Sequence, residues 1–108
     1  MWTVLYHPAA QDELNNLPVG EKVAVENAVA KLTVLGPALS HPHQSNVQGA
    51  WGLRELRPRG GRSAWRALFR RVGDSFVIAA VGPEAQVDRR GFDRAVRAAL
   101  SRLEELET

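Results

Sequence analysis

The chain has 108 residues, of which 44% are hydrophobic and 24% are charged. These values are ordinary for one globular domain with one core and exclude a disordered chain, so residues 1–108 are expected to form a single domain. The absence of cysteine excludes a disulfide framework, a thiolate metal site and a cysteine nucleophile. No positive residue precedes the apolar residues of segment 1–6, and no apolar run approaches a membrane span. We therefore expect a cytoplasmic protein with no membrane partner.

The net charge is only +2, but the basic residues are unevenly distributed. Twelve of the 14 are Arg, and all of these lie in residues 54–102, seven of them between Arg54 and Arg71. A GC-rich genome raises Arg over Lys throughout a chain, but it does not cluster it. Guanidinium groups bind phosphates and stack on bases, so the cluster indicates a nucleic-acid surface. The RNA-binding candidates are Arg54, Arg59, Arg62, Arg70, Arg89 and Arg90.

The N-terminal third predicts one strand and a helical hairpin. The β-branched and aromatic run Thr3–Tyr6 is typical of a strand. Pro8 fits the first turn of a helix that Pro18 stops. Apolar residues then recur at three- and four-residue spacing from about residue 21 to residue 35, which predicts a second helix closed by Gly36.

The rest of the chain predicts a loop, three strands and a final helix. Residues 37–50 show no periodicity and are expected to be a loop. Residues 51–57, 63–71 and 75–81 are strand-like and separated by turn residues, which indicates an antiparallel meander. An apolar stripe over residues 89–106 predicts an amphipathic helix. The expected class is α+β, in the order β-α-α-β-β-β-α, with the helices packed on one face of the sheet.

In the middle strand of the meander, alternation puts Trp65, Ala67 and Phe69 on one face and Arg66 and Arg70 on the other. The apolar face is expected to meet the helices. Arg66 should then project outward, next to an arginine of the neighbouring strand.

That neighbouring strand has a less regular pattern. Leu53 and Leu56 break the strict alternation of apolar and polar residues. A β-bulge in this strand is one way to turn the side chain of Arg57 toward the other face of the sheet. The alternative for Arg57 is a solvated face on which it pairs with Glu55 or Asp74.

Other chemistries lack the residues they need. His41 and His43 are two residues apart in the expected loop without a suitable third ligand, so no metal site is expected. Gly60 and Gly61 lie between two strands rather than before a helix, which is typical of a turn and not of a phosphate-binding loop. No glycine-framed serine elbow is present, and no cofactor is predicted.

The stretch Leu53-Arg54-Glu55-Leu56-Arg57-Pro58, a glycine turn, and then Ser63-Ala64-Trp65-Arg66-Ala67-Leu68-Phe69 resembles the paired-strand signature of HigB-type toxins. These toxins are a branch of the RelE/ParE superfamily of type II toxin–antitoxin systems. Gly82 and the closing helix extend the resemblance, which covers about residues 3–106.

The resemblance implies a RelE-like fold and an endoribonuclease, an mRNA interferase that inhibits translation by cutting mRNA, often on the ribosome. It also implies a cognate antitoxin, expected to be a helix-turn-helix protein. Such toxins resemble metal-free ribonucleases, in which the ribose 2′-hydroxyl attacks the adjacent phosphate and basic side chains stabilise the developing charge. By this resemblance, Arg57 and Arg66 would hold the scissile phosphate.

One position departs from the pattern. HigB-like chains of this kind usually follow the fourth strand with a glycine, an acidic residue and a lysine, whereas this chain has Gly82-Pro83-Glu84. Arg89 and Arg90 are candidates to replace the missing lysine. Glu84 is either the general base or a carboxylate whose charge opposes the phosphate.

Two other hypotheses stay open. In the first, the chain keeps the fold without cleavage, as a gyrase-inhibitor-like protein or an RNA-binding module. In the second, the arginines only bind an acidic antitoxin.

Overall fold

In the computed structural model, which describes residues 1–107, a five-stranded sheet is covered by three helices. The strands are β1 (Thr3–Tyr6), β2 (Gln44–Asn46), β3 (Arg54–Leu56), β4 (Trp65–Val72) and β5 (Ser75–Pro83). The helices are α1 (Pro8–Asn15), α2 (Val19–Leu35) and α3 (Arg89–Glu107), with short 3-10 turns at Gly36–Ala38 and Pro58–Gly61. The α+β class and the order of the predicted elements are confirmed. The structure adds one strand, β2, inside the segment expected to be a loop.

The sheet has the strand order β1-β5-β4-β3-β2. Strands β2 to β5 pair antiparallel, as a meander does, while β1 lies parallel to β5 at the other edge. One register irregularity, between Leu68 and Phe69, occurs where β4 pairs with β5. The meander therefore brings the start of β4 beside both the end of β3 and the end of β5.

Local signals set the ends of the helical hairpin. The His7 side chain accepts a hydrogen bond from the Ala9 amide (3.1 Å), and Pro8 occupies the first turn, where a missing N–H costs nothing. Pro18 precedes α2, and Gly36 ends it at a φ of 53°, a conformation that favours glycine.

The helices lie on both faces of the sheet, and the prediction that they pack on one face is wrong. Phe76 and Ile78 of β5 belong to one apolar cluster with residues of α1 and α2, whereas Val77 and Ala79 belong to a second cluster with α3. Successive residues of a strand point to opposite faces. Because seven consecutive residues of β5 are buried, both of its faces require cover, and α3 supplies it on the second face.

The two-sided core also explains the irregular pattern around β3. Leu53 belongs to the α3 cluster, and Leu56 belongs to the α1 and α2 cluster. The two residues are three positions apart, so regular alternation places them on opposite faces of the sheet, and no bulge is needed in β3. Ala67 and Phe69 are buried as expected. Trp65 is not in either cluster and is only half-buried, so its predicted place in the core is wrong. None of the helices formed within residues 1–107 combines the length and apolarity that a membrane crossing requires.

Candidate functional site

Two arginines and two glutamates meet where β4 begins, next to the ends of β3 and β5. We call Glu55, Arg57, Arg66 and Glu84 the charged quartet. In the sheet register Glu55 lies opposite Leu68, which belongs to the α3 cluster, so Glu55 and Arg66 lie on the α3 face. Helix α3 packs mainly against β5 and leaves the β3 side of this face uncovered.

Arg66 is the buried centre of the quartet, with a side chain only 2% exposed. Its Nη1 donates to the carbonyls of Ser63 (2.7 Å) and Trp65 (2.9 Å), and its Nη2 donates to the Gly61 carbonyl (3.2 Å) and to Glu84 Oε2 (2.5 Å). Four of the five guanidinium N–H groups are therefore occupied. The expectation that Arg66 projects into solvent is wrong, because the turn before β4 folds its carbonyls over the side chain.

The fifth donor of Arg66 faces Glu55. The buried Nε lies 3.6 Å from Glu55 Oε1, beyond hydrogen-bond distance, and has no hydrogen-bond partner within residues 1–107. Burial lowers the pKa of Arg66 and the nearby Arg57 charge lowers it further, while Glu84 and Glu55 act in the opposite direction. The two carboxylates thus compensate for placing a cation inside the protein.

Arg57 directly follows β3 and is more accessible, with a side chain 24% exposed. Its Nη1 donates to Glu55 Oε1 (2.7 Å), and its Nε donates to the Pro42 carbonyl (3.0 Å). Three of its five N–H groups have no partner in the part of the chain that the structure describes. Arg57 can therefore bind an anion without breaking either of its bonds.

Glu84 follows β5, where its amide donates to the Ala64 carbonyl (2.8 Å). The amides of Val87 and Asp88 donate to its carbonyl, which fixes the turn into α3. Its side chain is 22% exposed and uses Oε2 for Arg66, while Oε1 has no partner among residues 1–107. The structure thus brings Glu84 and Arg66 together, as the candidate site requires.

Glu55 is the member that the sequence reasoning considered only as a possible partner of Arg57. That pairing occurs, whereas Asp74 lies 4.0 Å from Arg71. The Glu55 side chain is 14% exposed, and its Oε1 also accepts from the Ser45 hydroxyl (3.2 Å). Its position two residues from Arg57, which puts both on one face of a strand, was the available signal.

A second set of contacts supports the turn that holds Arg66. Arg59 is paired with Glu21 of α2, and its Nη2 donates to the Gly20 carbonyl (3.2 Å). Ser63 donates its hydroxyl to Glu21 Oε1 (2.7 Å). The hydrogen bonds that Glu21 accepts from Arg59 and from Ser63 lower the pKa of Glu21. Arg59 is therefore tied to α2, and α2 anchors the turn between β3 and β4.

The other candidate arginines lie outside the quartet. Arg62 is exposed, and within residues 1–107 its side chain donates a hydrogen bond to the Arg59 carbonyl (3.0 Å) and to no other group. Arg89 is 72% exposed and pairs with Asp93 at 3.3 Å, and Arg90 is exposed with no partner in the described residues. Neither Arg89 nor Arg90 contacts the quartet within residues 1–107.

Arg54 and Arg70 lie toward the opposite end of the β3–β4 pair. Arg54 donates to Gln44 Oε1 (2.9 Å), and Arg70 donates to the Trp51 carbonyl (2.9 Å) and lies 3.8 Å from Glu107. The seven clustered arginines therefore do not form one continuous patch. They divide between the quartet, the turn anchored to α2 and this distant end.

The net charge of the quartet is zero, since two guanidinium groups face two carboxylates. Within residues 1–107, no group of three or more His, Cys, Asp or Glu side chains is arranged to hold a metal ion. What the quartet offers is one partly free cation, Arg57, and one partly free carboxylate, Glu84, connected through Glu55 and Arg66. A cation and a base held in this way can bind a phosphate and accept a proton.

The fold is shared with solved toxin structures. A double mutant of the E. coli toxin RelE in its free state superposes with a TM-score of 0.63 at 12% identity, covering 89% of this chain and 95% of that one. The RelB-RelE antitoxin–toxin complex from Methanococcus jannaschii gives 0.61 at 9% identity, covering 80% and 96%. The toxin–antitoxin complex RelBE2 from Mycobacterium tuberculosis gives 0.57 at 25% identity, covering 78% and 92%. The chain therefore has the RelE fold.

Comparison with curated proteins gives no match. A family model described as phage derived protein Gp49-like matches residues 12–82, about two thirds of the chain, which include helix α2 and the β3–β4 pair. Of the quartet, Glu55, Arg57 and Arg66 lie inside this match, and Glu84 lies two residues beyond it. This chain belongs to the Gp49-like family of phage-derived proteins.

Proposed function

We propose that this protein is the toxin of a type II toxin–antitoxin system and acts as a metal-independent endoribonuclease on mRNA. The observation that carries the proposal is that Arg57 and Glu84, each with hydrogen-bonding atoms left unused, are linked through Glu55 and Arg66 in one charged quartet, on a sheet face that α3 leaves open. The RelE fold supports it, since the solved neighbours are toxins.

In this proposal Arg57 binds the scissile phosphate. Its three unpaired N–H groups offer a fork that fits two phosphate oxygens, and its bonds to Glu55 and Pro42 fix the guanidinium in place. Charge builds on the phosphate oxygens as the 2′-oxygen attacks, and a preorganised cation lowers that barrier more than a mobile one would.

Glu84 is proposed as the general base. Its Oε1 takes the proton from the ribose 2′-hydroxyl, the 2′-oxygen forms a bond to phosphorus, and the bond to the 5′-oxygen breaks. The leaving 5′-oxygen takes a proton from water. The products are a 2′,3′-cyclic phosphate and a free 5′-hydroxyl, and water then restores the carboxylate by removing its proton.

Arg66 and Glu55 are proposed as positioning residues. Arg66 uses four N–H groups on the protein itself, so it orients Glu84 and does not offer a fork to the phosphate. Glu55 holds Arg57 at 2.7 Å and balances the charge of Arg66. This assigns Arg66 a different task from the direct phosphate contact that the family resemblance implies.

The proposed partners are mRNA, alone or on the ribosome, and a cognate antitoxin. Two of the solved neighbours are complexes of a toxin with its antitoxin. A helix-turn-helix antitoxin encoded next to this chain would be the expected counterpart. Co-expression of that neighbouring protein should restore growth in cells that this chain inhibits.

Cleavage assays with purified protein test the proposal. The wild type, Glu84→Gln and Arg57→Ala are incubated in chelator with free mRNA and with mRNA on ribosomes. Glu84→Gln keeps an oxygen for Arg66 but is a far weaker base, so the rate should fall about 10²- to 10⁴-fold. Loss of the Arg57 cation should cost about 10²- to 10³-fold.

The matched control is Arg97→Ala, which removes one exposed arginine of α3 that has no partner in the described residues. It changes the net charge as Arg57→Ala does and should leave the rate within about twofold, since it touches neither reacting atom. Absence of cleavage by the wild type with and without ribosomes, or a requirement for a divalent metal, overturns the proposal. Unchanged rates in Glu84→Gln and Arg57→Ala would reject the assigned residues.

A further inference from the structure

Trp51 is displayed at the tip of the loop between β2 and β3, where it is 93% exposed. Three apolar neighbours in the loop, Val47, Ala50 and Leu53, are buried and anchor it to the core. A side chain as large as Trp is usually mostly buried. The exposed indole is therefore available to a ligand.

The loop holds the indole in a defined place. The Val47 amide donates to the Leu53 carbonyl (3.0 Å), the Leu53 amide donates to the Ala50 carbonyl (3.0 Å), and Arg70 Nη2 donates to the Trp51 carbonyl (2.9 Å). The backbone on both sides of Trp51 is thus fixed by hydrogen bonds. The ring is presented by an ordered turn.

A groove of about 330 Å³ lies beside the indole. Buried apolar residues, among them Leu39 and Phe69, form its floor, and three arginines, Arg54, Arg70 and Arg71, line it. We call this the Trp51 groove.

The three arginines of the Trp51 groove are weakly neutralised, in contrast to the quartet. Arg54 donates to the neutral Gln44. The carboxylates nearest to Arg70 and Arg71 are Glu107 and Asp74, at 3.8 and 4.0 Å, which is beyond hydrogen-bond distance. Among residues 1–107, no carboxylate therefore makes a hydrogen bond to any of these guanidinium groups, and the groove retains its positive charge.

We propose that the Trp51 groove is a second nucleotide-binding site for single-stranded RNA, in which a base stacks on Trp51 and a phosphate is bound by Arg54 and Arg70. Aromatic rings beside a positively charged groove are the combination that binds single strands, because every base has a flat face and every linkage has a charge. This inference rests on the proposed RNA substrate and adds to it.

The neighbours of Trp51 favour a nucleic acid over a protein. Protein hot spots bury an aromatic anchor within a ring of further contacts. Here the chain neighbours of the indole are the buried Ala50 and the glycine Gly52, which leave no contiguous apolar surface in the loop. A single exposed aromatic ring next to positively charged side chains therefore favours a nucleotide base as the ligand over a protein surface.

The Trp51 groove lies away from the cleaved bond. Trp51 and Arg57 lie beyond opposite ends of β3, and Phe69 of the groove belongs to the α1 and α2 cluster, whereas the quartet lies on the α3 face. The groove therefore binds a nucleotide outside the scissile pair. The Trp51 groove contributes to the affinity for RNA and to the choice of the bond that is cleaved.

Binding of a non-cleavable RNA tests the inference. The probe is a labelled single strand of about 12 nucleotides, within the usual range of site sizes, with 2′-O-methyl groups that block attack. Fluorescence anisotropy gives the affinity of the full-length wild type, Trp51→Ala, Trp51→Phe and Arg54→Ala. The control is Leu5→Ala, which trims a 52% exposed apolar residue of β1, at the opposite edge of the sheet from the β2–β3 loop.

Trp51→Ala should weaken binding about 5- to 100-fold, the range that one lost base stack produces, while Trp51→Phe retains most of the affinity. Arg54→Ala should lower affinity and reduce the salt dependence by about 0.7 in log–log slope, as loss of one phosphate contact predicts. Leu5→Ala should bind as the wild type does. RNA should also quench a part of the tryptophan fluorescence that is missing in Trp51→Phe.

Equal affinity of the wild type and Trp51→Ala for RNA overturns this inference and leaves the proposed function intact. Loss of antitoxin binding in Trp51→Ala with unchanged RNA affinity would assign the groove to a protein instead, and also overturns it. A wild type that binds no RNA, alone or on ribosomes, refutes the proposed function and this inference together.

Discussion

Replacing Arg66 by alanine should destabilise the fold, and the size of the loss follows from its contacts. The substitution removes a buried cation that bonds three carbonyls and Glu84, and it leaves Glu84 and Glu55 without that cation. Breaking a buried ion pair from one side costs about 3–5 kcal/mol. Because Glu84 is 22% exposed and Glu55 14%, water relieves part of the penalty, and we expect about 3 kcal/mol.

Thermal unfolding followed by circular dichroism measures this loss. For a domain of this size, each kcal/mol lowers Tm by about 4–8 °C, so Arg66→Ala should unfold at least roughly 12 °C below the wild type. Arg54→Ala is the matched control, since Arg54 is exposed and its side chain bonds Gln44 alone among the described residues, and it should cost no more than about 0.5 kcal/mol. Equal Tm values for the two variants would refute the buried role of Arg66.

Three further substitutions test the core and one titrating group. Phe69→Ala should cost about 3–5 kcal/mol in guanidinium denaturation, and Trp65→Ala clearly less, because Phe69 is buried and Trp65 only half-buried. Equal losses would place Trp65 in the core. Gly82→Ala should cost about 1–3 kcal/mol, because a Cβ there would lie 2.7 Å from the Ala95 Cβ, and an unchanged Tm would contradict that close packing. Burial raises the pKa of Tyr6 from 10.0 to about 12. The stability of the wild type should therefore fall as pH rises from 10 to 12, and the Tyr6→Phe variant should lack the part of this fall that is due to Tyr6. Parallel curves of Tm against pH for the two proteins would contradict the shift in the Tyr6 pKa.

The helices and the central strands could be predicted from sequence because their signals are local. Pro8, Pro18 and Gly36 mark the ends of α1 and α2, and the apolar stripe of α3 predicted its length to within one residue at the C-terminus. Strand β2 could not be predicted in this way. Its residues Gln-Ser-Asn have no apolar alternation, and they form a strand because they pair with β3.

The sequence pattern could not predict which face of the sheet α3 covers. An apolar stripe shows that a helix is covered on one side, but not which face of the sheet it covers. The continuous apolar run of β5 was the missed clue, since a strand buried on one face alternates. Reading β5 as a two-sided strand would have placed α3 correctly.

Three of the four members of the charged quartet were predicted as candidate residues, but Glu55 and the arrangement of the four were not. Arg57, Arg66 and Glu84 do come together. Alternation put Arg66 in solvent, because periodicity says nothing about a turn that folds back over a strand. The carbonyls that bury Arg66 come from residues 61–65, and that path depends on the positive φ values of Gly60 and Gly61, 64° and 96°.

The chemical identity of the RNA ends tests the central claim most directly. Products formed by the wild type in chelator are analysed by mass spectrometry and by their susceptibility to a phosphatase that acts on 3′-phosphates. Attack by the 2′-hydroxyl, with Glu84 as base and Arg57 on the phosphate, predicts 2′,3′-cyclic phosphates or the 3′-phosphates derived from them, paired with 5′-hydroxyl ends. Products that carry 3′-hydroxyl and 5′-phosphate ends would require attack by water and would contradict the account.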